Sequence, residues 1–174
     1  MNNILASKEY KIPYFASDKK GKYKTKQPLS ENQIIKAATA ILKSRVAQKG
    51  YTMSSSEDTR QLMMTHLANC SNEVFVCLFL DNKHRVLSME ETFYGTIDGT
   101  TIYPRVVVKR ALELNAAAMI IVHNHPSGTS KPSLNDIQIT KILDDALNLV
   151  GIRLLDHIIV GGGECSSLAE LGEL

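Results

Sequence analysis

Two uninterrupted apolar runs, Val74 to Leu80 and Ala116 to Val122, constrain this 174-residue chain more than any other feature. Each is seven residues long, far short of the roughly 20 that a membrane-spanning helix requires. Val74-Phe-Val-Cys-Leu-Phe-Leu80 is rich in β-branched and aromatic residues and runs into Asp81-Asn82-Lys83-His84, a turn sequence. The pattern predicts a hairpin whose second strand spans about Arg85 to Gly95, with Ala116 to Val122 as a buried strand further on. A composition of 44% hydrophobic and 22% charged residues suits one ordinary globular domain with a short appendage, and argues against collagen, coiled coil or wholesale disorder.

Helix signals surround these strands. Ser30-Glu31-Asn32-Gln33 has capping-box spacing, and Ile34, Ile35, Ala38, Ile41, Leu42 and Val46 recur at helical intervals up to Gly50. A second start at Ser54-Ser55-Ser56-Glu57 leads into Leu62, Met63, His66 and Leu67, a helix expected to end near Ala68. Tyr103-Pro104 opens a third, with Val107, Ala111 and Leu112 expected inward and Asn115 closing it. The loop from His123 to Gly128 leads to Ser133-Leu134-Asn135-Asp136, the start of a fourth helix ending near Val150-Gly151. Ile152 to Val160 reads as a last central strand. This order predicts an α/β fold, a mixed sheet flanked by helices.

Charge divides the chain. Residues 1–60 carry 12 Lys and Arg against 5 Asp and Glu, and residues 61–174 carry 8 against 13. The excess lies around Lys19, Lys20, Lys22, Lys24 and Lys26, interleaved with Tyr14, Phe15 and Tyr23. Such a segment can contact phosphates and stack on bases, and a solvated arm has the same composition. The start of the chain has no basic-then-apolar leader, so a soluble, cytoplasmic protein is expected. Cys70, Cys77 and Cys165 form no CxxC pair and read as buried or idle thiols.

The chemistry centres on His123 and His125. Two residues apart on extended backbone, their imidazoles leave one face. Asp136 falls in the first turn of the next helix, where a carboxylate is favoured. Two His nitrogens and one carboxylate, with a fourth position open, form a catalytic zinc pattern. Ser133 can cap its helix through an oxygen lone pair while its hydroxyl hydrogen serves an oxyanion. A proton acceptor is also needed, and Glu73, Glu90, Glu91 and Glu113 are the candidates. Glu113 lies in a helix interior, and spacing alone does not separate Glu73 from the Glu90 and Glu91 pair.

Asn72-Glu73-Val74-Phe75-Val76, Tyr103-Pro104-Arg105, the run Lys109 to Ala118, His123-Asn124-His125-Pro126-Ser127-Gly128, Pro132 to Asp136 and Leu154-Leu155-Asp156-His157 together resemble the RadC family of the JAB/MPN superfamily of JAMM metalloproteins. The resemblance covers roughly residues 56–174, which divides the chain into a basic arm and helix over 1–55 and a metallohydrolase domain over 56–174. It implies a JAB/MPN-like curved mixed sheet, one zinc ion held by His123, His125 and Asp136, and hydrolysis of amide or isopeptide bonds with Glu73 as general base. Its serine matches Ser133. Two features depart from the family pattern: residues 1–60 show no helix-hairpin-helix signature, and Val106 follows Pro104-Arg105 where the family more often has Glu.

Three further groups of residues carry expectations. Asp156-His157, inside an apolar strand, requires partners, read as a pair satisfied in the core or as hydrogen bonds to the metal ligands. His66 and His84 fall outside ligand spacing, and Gly161-Gly162-Gly163 reads as a flexible turn. The leading function is a zinc-dependent hydrolase acting on a peptide or protein. The alternative is a DNA-associated repair or recombination module that uses the basic arm, its metal site structural or acting on nucleic acid.

Overall fold

A computed structural model describes residues 2–3, 12–17, 22–25, 27–46, 51–52, 56–68, 70–95 and 101–174. The elements in order are β1 (Asn2–Asn3), β2 (Phe15–Ser17), β3 (Tyr23–Thr25), α1 (Glu31–Val46), α2 (Ser56–Leu67), β4 (Val74–Leu80), β5 (Val86–Tyr94), α3 (Pro104–Glu113), β6 (Ala118–Asn124), α4 (Leu134–Asn148), β7 (Arg153–Gly161), β8 (Glu164–Ser167) and α5 (Leu168–Leu171). The expected α/β fold is present. One mixed sheet has the order β1-β5-β4-β6-β7-β8, and β6 and β7 are its parallel pair. Such a pair requires a crossover, which α4 supplies.

The apolar runs are buried on both faces, and their two-residue period divides the core in two. Val74, Val76, Leu78 and Leu80 of β4, with Ala118, Ile120 and Val122 of β6, pack against Leu62, Met63 and Leu67 of α2 and Val46 of α1. Phe75, Cys77 and Phe79, with Met119 and Ile121, pack against Val107 and Ala111 of α3 and Leu143 and Leu147 of α4. A side chain on β6 therefore meets either the α1/α2 layer or the α3/α4 layer according to the parity of its number.

Local chemistry sets the helix ends. Ser30 N–H donates to Gln33 Oε1 at 2.9 Å and Gln33 N–H to Ser30 Oγ at 3.4 Å, the reciprocal cap expected from the sequence. Pro104 begins α3, and Asn115, at φ 53°, follows its end. Leu112 departs from expectation: it is exposed, while Val107 and Ala111 on the same helix are buried. The last strand expected, β7, is followed by β8 and α5, each only four residues long and so carrying little periodicity.

Within the basic arm, β2 and β3 pair antiparallel, Phe15 opposite Thr25 and Ser17 opposite Tyr23. Lys22 and Lys24 are exposed there, and Lys19, Lys20 and Lys26 lie outside the described residues. Cys77 is buried, which pushes its thiol up to about 12, and burial also raises Cys70 and Cys165. No described helix is long and apolar enough to cross a membrane.

Candidate metal centre

β6 is longer at its end than the sequence suggests: His123 and Asn124 belong to the strand rather than to the following loop. The extra residues are held because both flanking strands continue alongside, with Phe75 of β4 opposite His123 and Val160 of β7 opposite Asn124. His125 N–H then donates to Val160 O at 2.8 Å, so the backbone stays extended through both histidines. Odd-numbered positions of β6 face α3 and α4, and His123 lies there, stacked on Phe75 with ring centroids 6.2 Å apart.

Beyond His125 the chain turns sharply, with Gly128 N–H donating to His125 O at 3.0 Å. The returning loop lies against the β7–β8 turn so closely that a Cβ on Gly161 would stand 2.4 Å from the Thr129 carbonyl, and one on Gly162 2.4 Å from Gly128 O. The glycine run is therefore a packing requirement of the histidine loop, not merely a flexible turn.

Asp136 arrives on the first turn of α4. Ser133 Oγ accepts from Asp136 N–H at 3.1 Å, and Ser133 N–H donates to Asp136 Oδ2 at 2.7 Å, a reciprocal cap that fixes the carboxylate. His123 Nε2 lies 2.9 Å from His125 Nε2 and 3.2 Å from Asp136 Oδ1, and His125 Nε2 lies 3.5 Å from Asp136 Oδ2. Among the described residues these three form the one group able to hold a metal ion, each offering one ligand atom within 4.8 Å of the others. Tetrahedral zinc, with bonds of about 2.0–2.1 Å, sets its ligand atoms about 3.3 Å apart. The Nε2–Nε2 separation of 2.9 Å and the approach of one Asp136 oxygen to each histidine, 3.2 and 3.5 Å, lie close to that value, and the donor set of two imidazoles and a carboxylate suits the ion.

The remaining ring nitrogens decide whether the lone pairs are free. His125 Nδ1 lies 2.9 Å from Thr129 O, which can only accept, so Nδ1 carries the proton and Nε2 is left to ligate. For His123 the answer comes through a chain of partners. Thr140 Oγ1 donates to Asp136 O at 2.5 Å, so at 2.5 Å it accepts from His157 Nδ1. His157 Nε2 then accepts from His123 Nδ1 at 2.8 Å, leaving His123 Nε2 to ligate. Burial holds His157 well below its ordinary value, in keeping with a neutral ring.

Electrostatics agree with an anion between two imidazoles. Burial pushes the Asp136 carboxyl up, but where the imidazoles are also protonated at Nε2, with no metal bound, hydrogen bonds from His123 and His125 outweigh it and hold the group well below the usual carboxylate range. His125 is raised, first by its hydrogen bond to Asp136 and against burial, with the Thr129 carbonyl and the charges of Asp136 and Glu73 adding to the shift.

The four candidate glutamates now separate. Glu90 is fully buried and bound by Arg110 and Ser88. Glu91 is held by His66, with Nε2 2.8 Å away, and by the Tyr94 hydroxyl at 2.6 Å. Glu113 meets Arg110 and Lys109 on α3. Glu73 stands just before β4, whose ladder with β6 ends at Phe75 opposite His123, and its charge is one of those that raise His125. Ser133 is exposed at the head of α4.

Asp156 and His157 are not a pair. Adjacent on β7, they point to opposite faces. Asp156 accepts from Ser167 Oγ at 2.7 and 2.9 Å and from Ala169 N–H at 3.2 Å, while His157 reaches His123. Thr140 belongs to no motif, but its place four residues after Asp136 is the signal that it shares that helical face.

The family model for the RadC-like JAB domain matches residues 53–173. The chain belongs to the RadC-like JAB family. Proteins similar to this RadC-like chain include the UPF0758 proteins of Marinobacter nauticus, 53% identical over 125 residues, and of Acidithiobacillus ferrooxidans, 54% identical over 125 residues; each alignment covers 72% of this chain and 56% of the relative. The UPF0758 protein of Halorhodospira halophila is 54% identical over 127 residues, covering 73% of this chain and 57% of its own length. The chain thus spans about half the length of the curated relatives it matches.

Proposed function

We propose that this RadC-like chain is a zinc-dependent hydrolase of the JAMM type that cleaves amide bonds, peptide or isopeptide, in a protein or peptide substrate. The observation that carries this reading is the convergence of His123 Nε2, His125 Nε2 and an Asp136 oxygen, with both Nδ1 protons committed elsewhere. Zinc held by His123, His125 and Asp136 supplies a Lewis acid that activates water and polarises a carbonyl. Glu73, whose charge acts on His125, takes a proton from the attacking water and delivers it to the leaving amine. Ser133 keeps its oxygen lone pair on the helix cap and turns its hydroxyl hydrogen toward the developing oxyanion.

Glu73→Gln tests the assignment. The variant is expected to retain about one zinc per chain and to lose at least 100-fold in turnover of peptide and isopeptide substrates. Turnover equal to that of the wild type would reject Glu73 as the proton carrier. A second reading, association with DNA through Lys22, Lys24 and the neighbouring lysines of the arm, draws on the exposed β2–β3 ribbon. Its signature is an affinity whose logarithm falls with log salt by about 0.9 per phosphate contact.

A further inference from the structure

We propose that Asn124 is a positioning residue that sets Glu73 over the metal centre. This rests on the reading of Glu73 as proton carrier. Asn124 stands between the two histidines, and the alternation that sends His123 toward α3 and α4 sends Asn124 to the opposite face of the sheet. It is 4% exposed there, a buried amide in an otherwise apolar layer, and burial of this kind requires that its polar atoms be met.

They are met by the backbone on both sides of Glu73. Asn124 Oδ1 accepts from Val74 N–H at 2.8 Å, and Asn124 Nδ2 donates to Asn72 O at 3.0 Å and to Cys70 O at 3.5 Å. The carbonyl of Glu73 itself accepts from Gly95 N–H at 2.8 Å. Residues 72 to 74 are thereby tied to β6 through one side chain and to the end of β5 through one backbone bond. Because the amide grows from the same two-peptide stretch that presents His123 and His125, the clamp fixes Glu73 relative to the ligands themselves. A hydrophobic residue at position 124 would fill the same layer but leave the Glu73 segment free to shift against the histidines.

The test uses the full chain loaded with Co2+ in place of zinc and labelled with 13C at the glutamate side-chain carboxyls. The Glu73 signal is the one missing from Glu73→Gln. In the wild type the paramagnetic ion displaces and broadens it. In Asn124→Ala, with cobalt still at one per chain, most of that displacement is expected to be lost. Asn124→Asp keeps an acceptor for Val74 N–H and loses the donor; it is expected to give an intermediate displacement, and it carries the test should the alanine variant not fold. Displacement equal to the wild type in both variants overturns the proposal, as does loss of cobalt from a folded variant, which would assign Asn124 to the ligands. A wild-type Glu73 signal that cobalt leaves in place overturns the reading of Glu73 as proton carrier, and the proposal with it.

Discussion

His123 Nδ1 stands 2.8 Å from His157 Nε2, across the parallel pair of strands β6 and β7. A candidate metal ligand on one strand thus takes its tautomer from a buried ring on the next, which takes its own from Thr140 and, through it, from the Asp136 carbonyl. Two of the three candidate ligands are joined by hydrogen bonds on the side away from their converging atoms. Outer partners of this kind are typically worth about 10–100-fold in metal affinity. His157→Ala and Thr140→Val are each expected to weaken zinc binding by that order, and the double variant by less than the product of the two, since both act through one proton. Competition with a chelator measures this; wild-type affinity in both single variants would show that the chain of partners does not hold His123.

Acid should release the metal beginning close to neutrality. Zinc competes with protons for its ligands. His125 binds its proton more tightly than an ordinary imidazole, so competition begins above the ordinary value of 6.5. Asp136 adds nothing in this range, because it stays ionised far into acid. Zinc affinity is expected to fall about tenfold per pH unit for each proton displaced as pH drops below the His125 value. Calorimetry in buffers of different ionisation enthalpy reads the proton release; a flat affinity between pH 8 and pH 6 would contradict the His125 assignment.

Gly161→Ala is expected to loosen the centre from outside it. The added Cβ falls 2.4 Å from the Thr129 carbonyl, and that carbonyl holds His125 Nδ1. A backbone contact this short cannot be relieved by turning a side chain, so the loop must move, at a cost of about 1–3 kcal/mol. Gly163→Ala is the control: no atom lies within 4 Å of its Cβ, and only its φ of 81° is strained. Urea unfolding and zinc affinity should both fall in the first variant, whereas the second should lose stability without losing zinc.

What was legible in the sequence follows from periodicity and caps. The β4 and β6 runs, the Ser30 and Ser133 boxes and the grouping of His123, His125 and Asp136 each depend on residues close in the chain. The choice of Glu73 over Glu90 or Glu91 depends on which acids find cations 20 or more residues away, and spacing holds no record of Arg110 reaching back to Glu90. Thr140 carried no motif, and Asp156-His157 left two readings open for the same reason, since the register between β6 and β7 decides whether a buried histidine meets His123. Leu112 failed because a helix stripe predicts a face but not its edge.

The Glu90–Arg110 pair carries a prediction whose sign reverses with one substitution. Glu90 has no exposed surface, and burial alone would push its carboxyl up. Arg110, with Nη2 2.7 Å away, and Ser88 overcome burial and hold it below its ordinary value of 4.5. A depressed carboxylate contributes stability that is complete above the unfolded value and is lost as pH falls through the folded one. The wild type should therefore lose this contribution on acidification below about 4.5. Arg110→Ala leaves a buried carboxylate without its cation, at a cost of about 3–5 kcal/mol near neutral pH. In that variant burial dominates and raises Glu90, so protonation relieves the penalty and the deficit relative to wild type should shrink as pH falls. Urea midpoints of the two proteins from pH 7 to pH 4 make the comparison, and a deficit constant across that range would mean that Arg110 acts through packing alone.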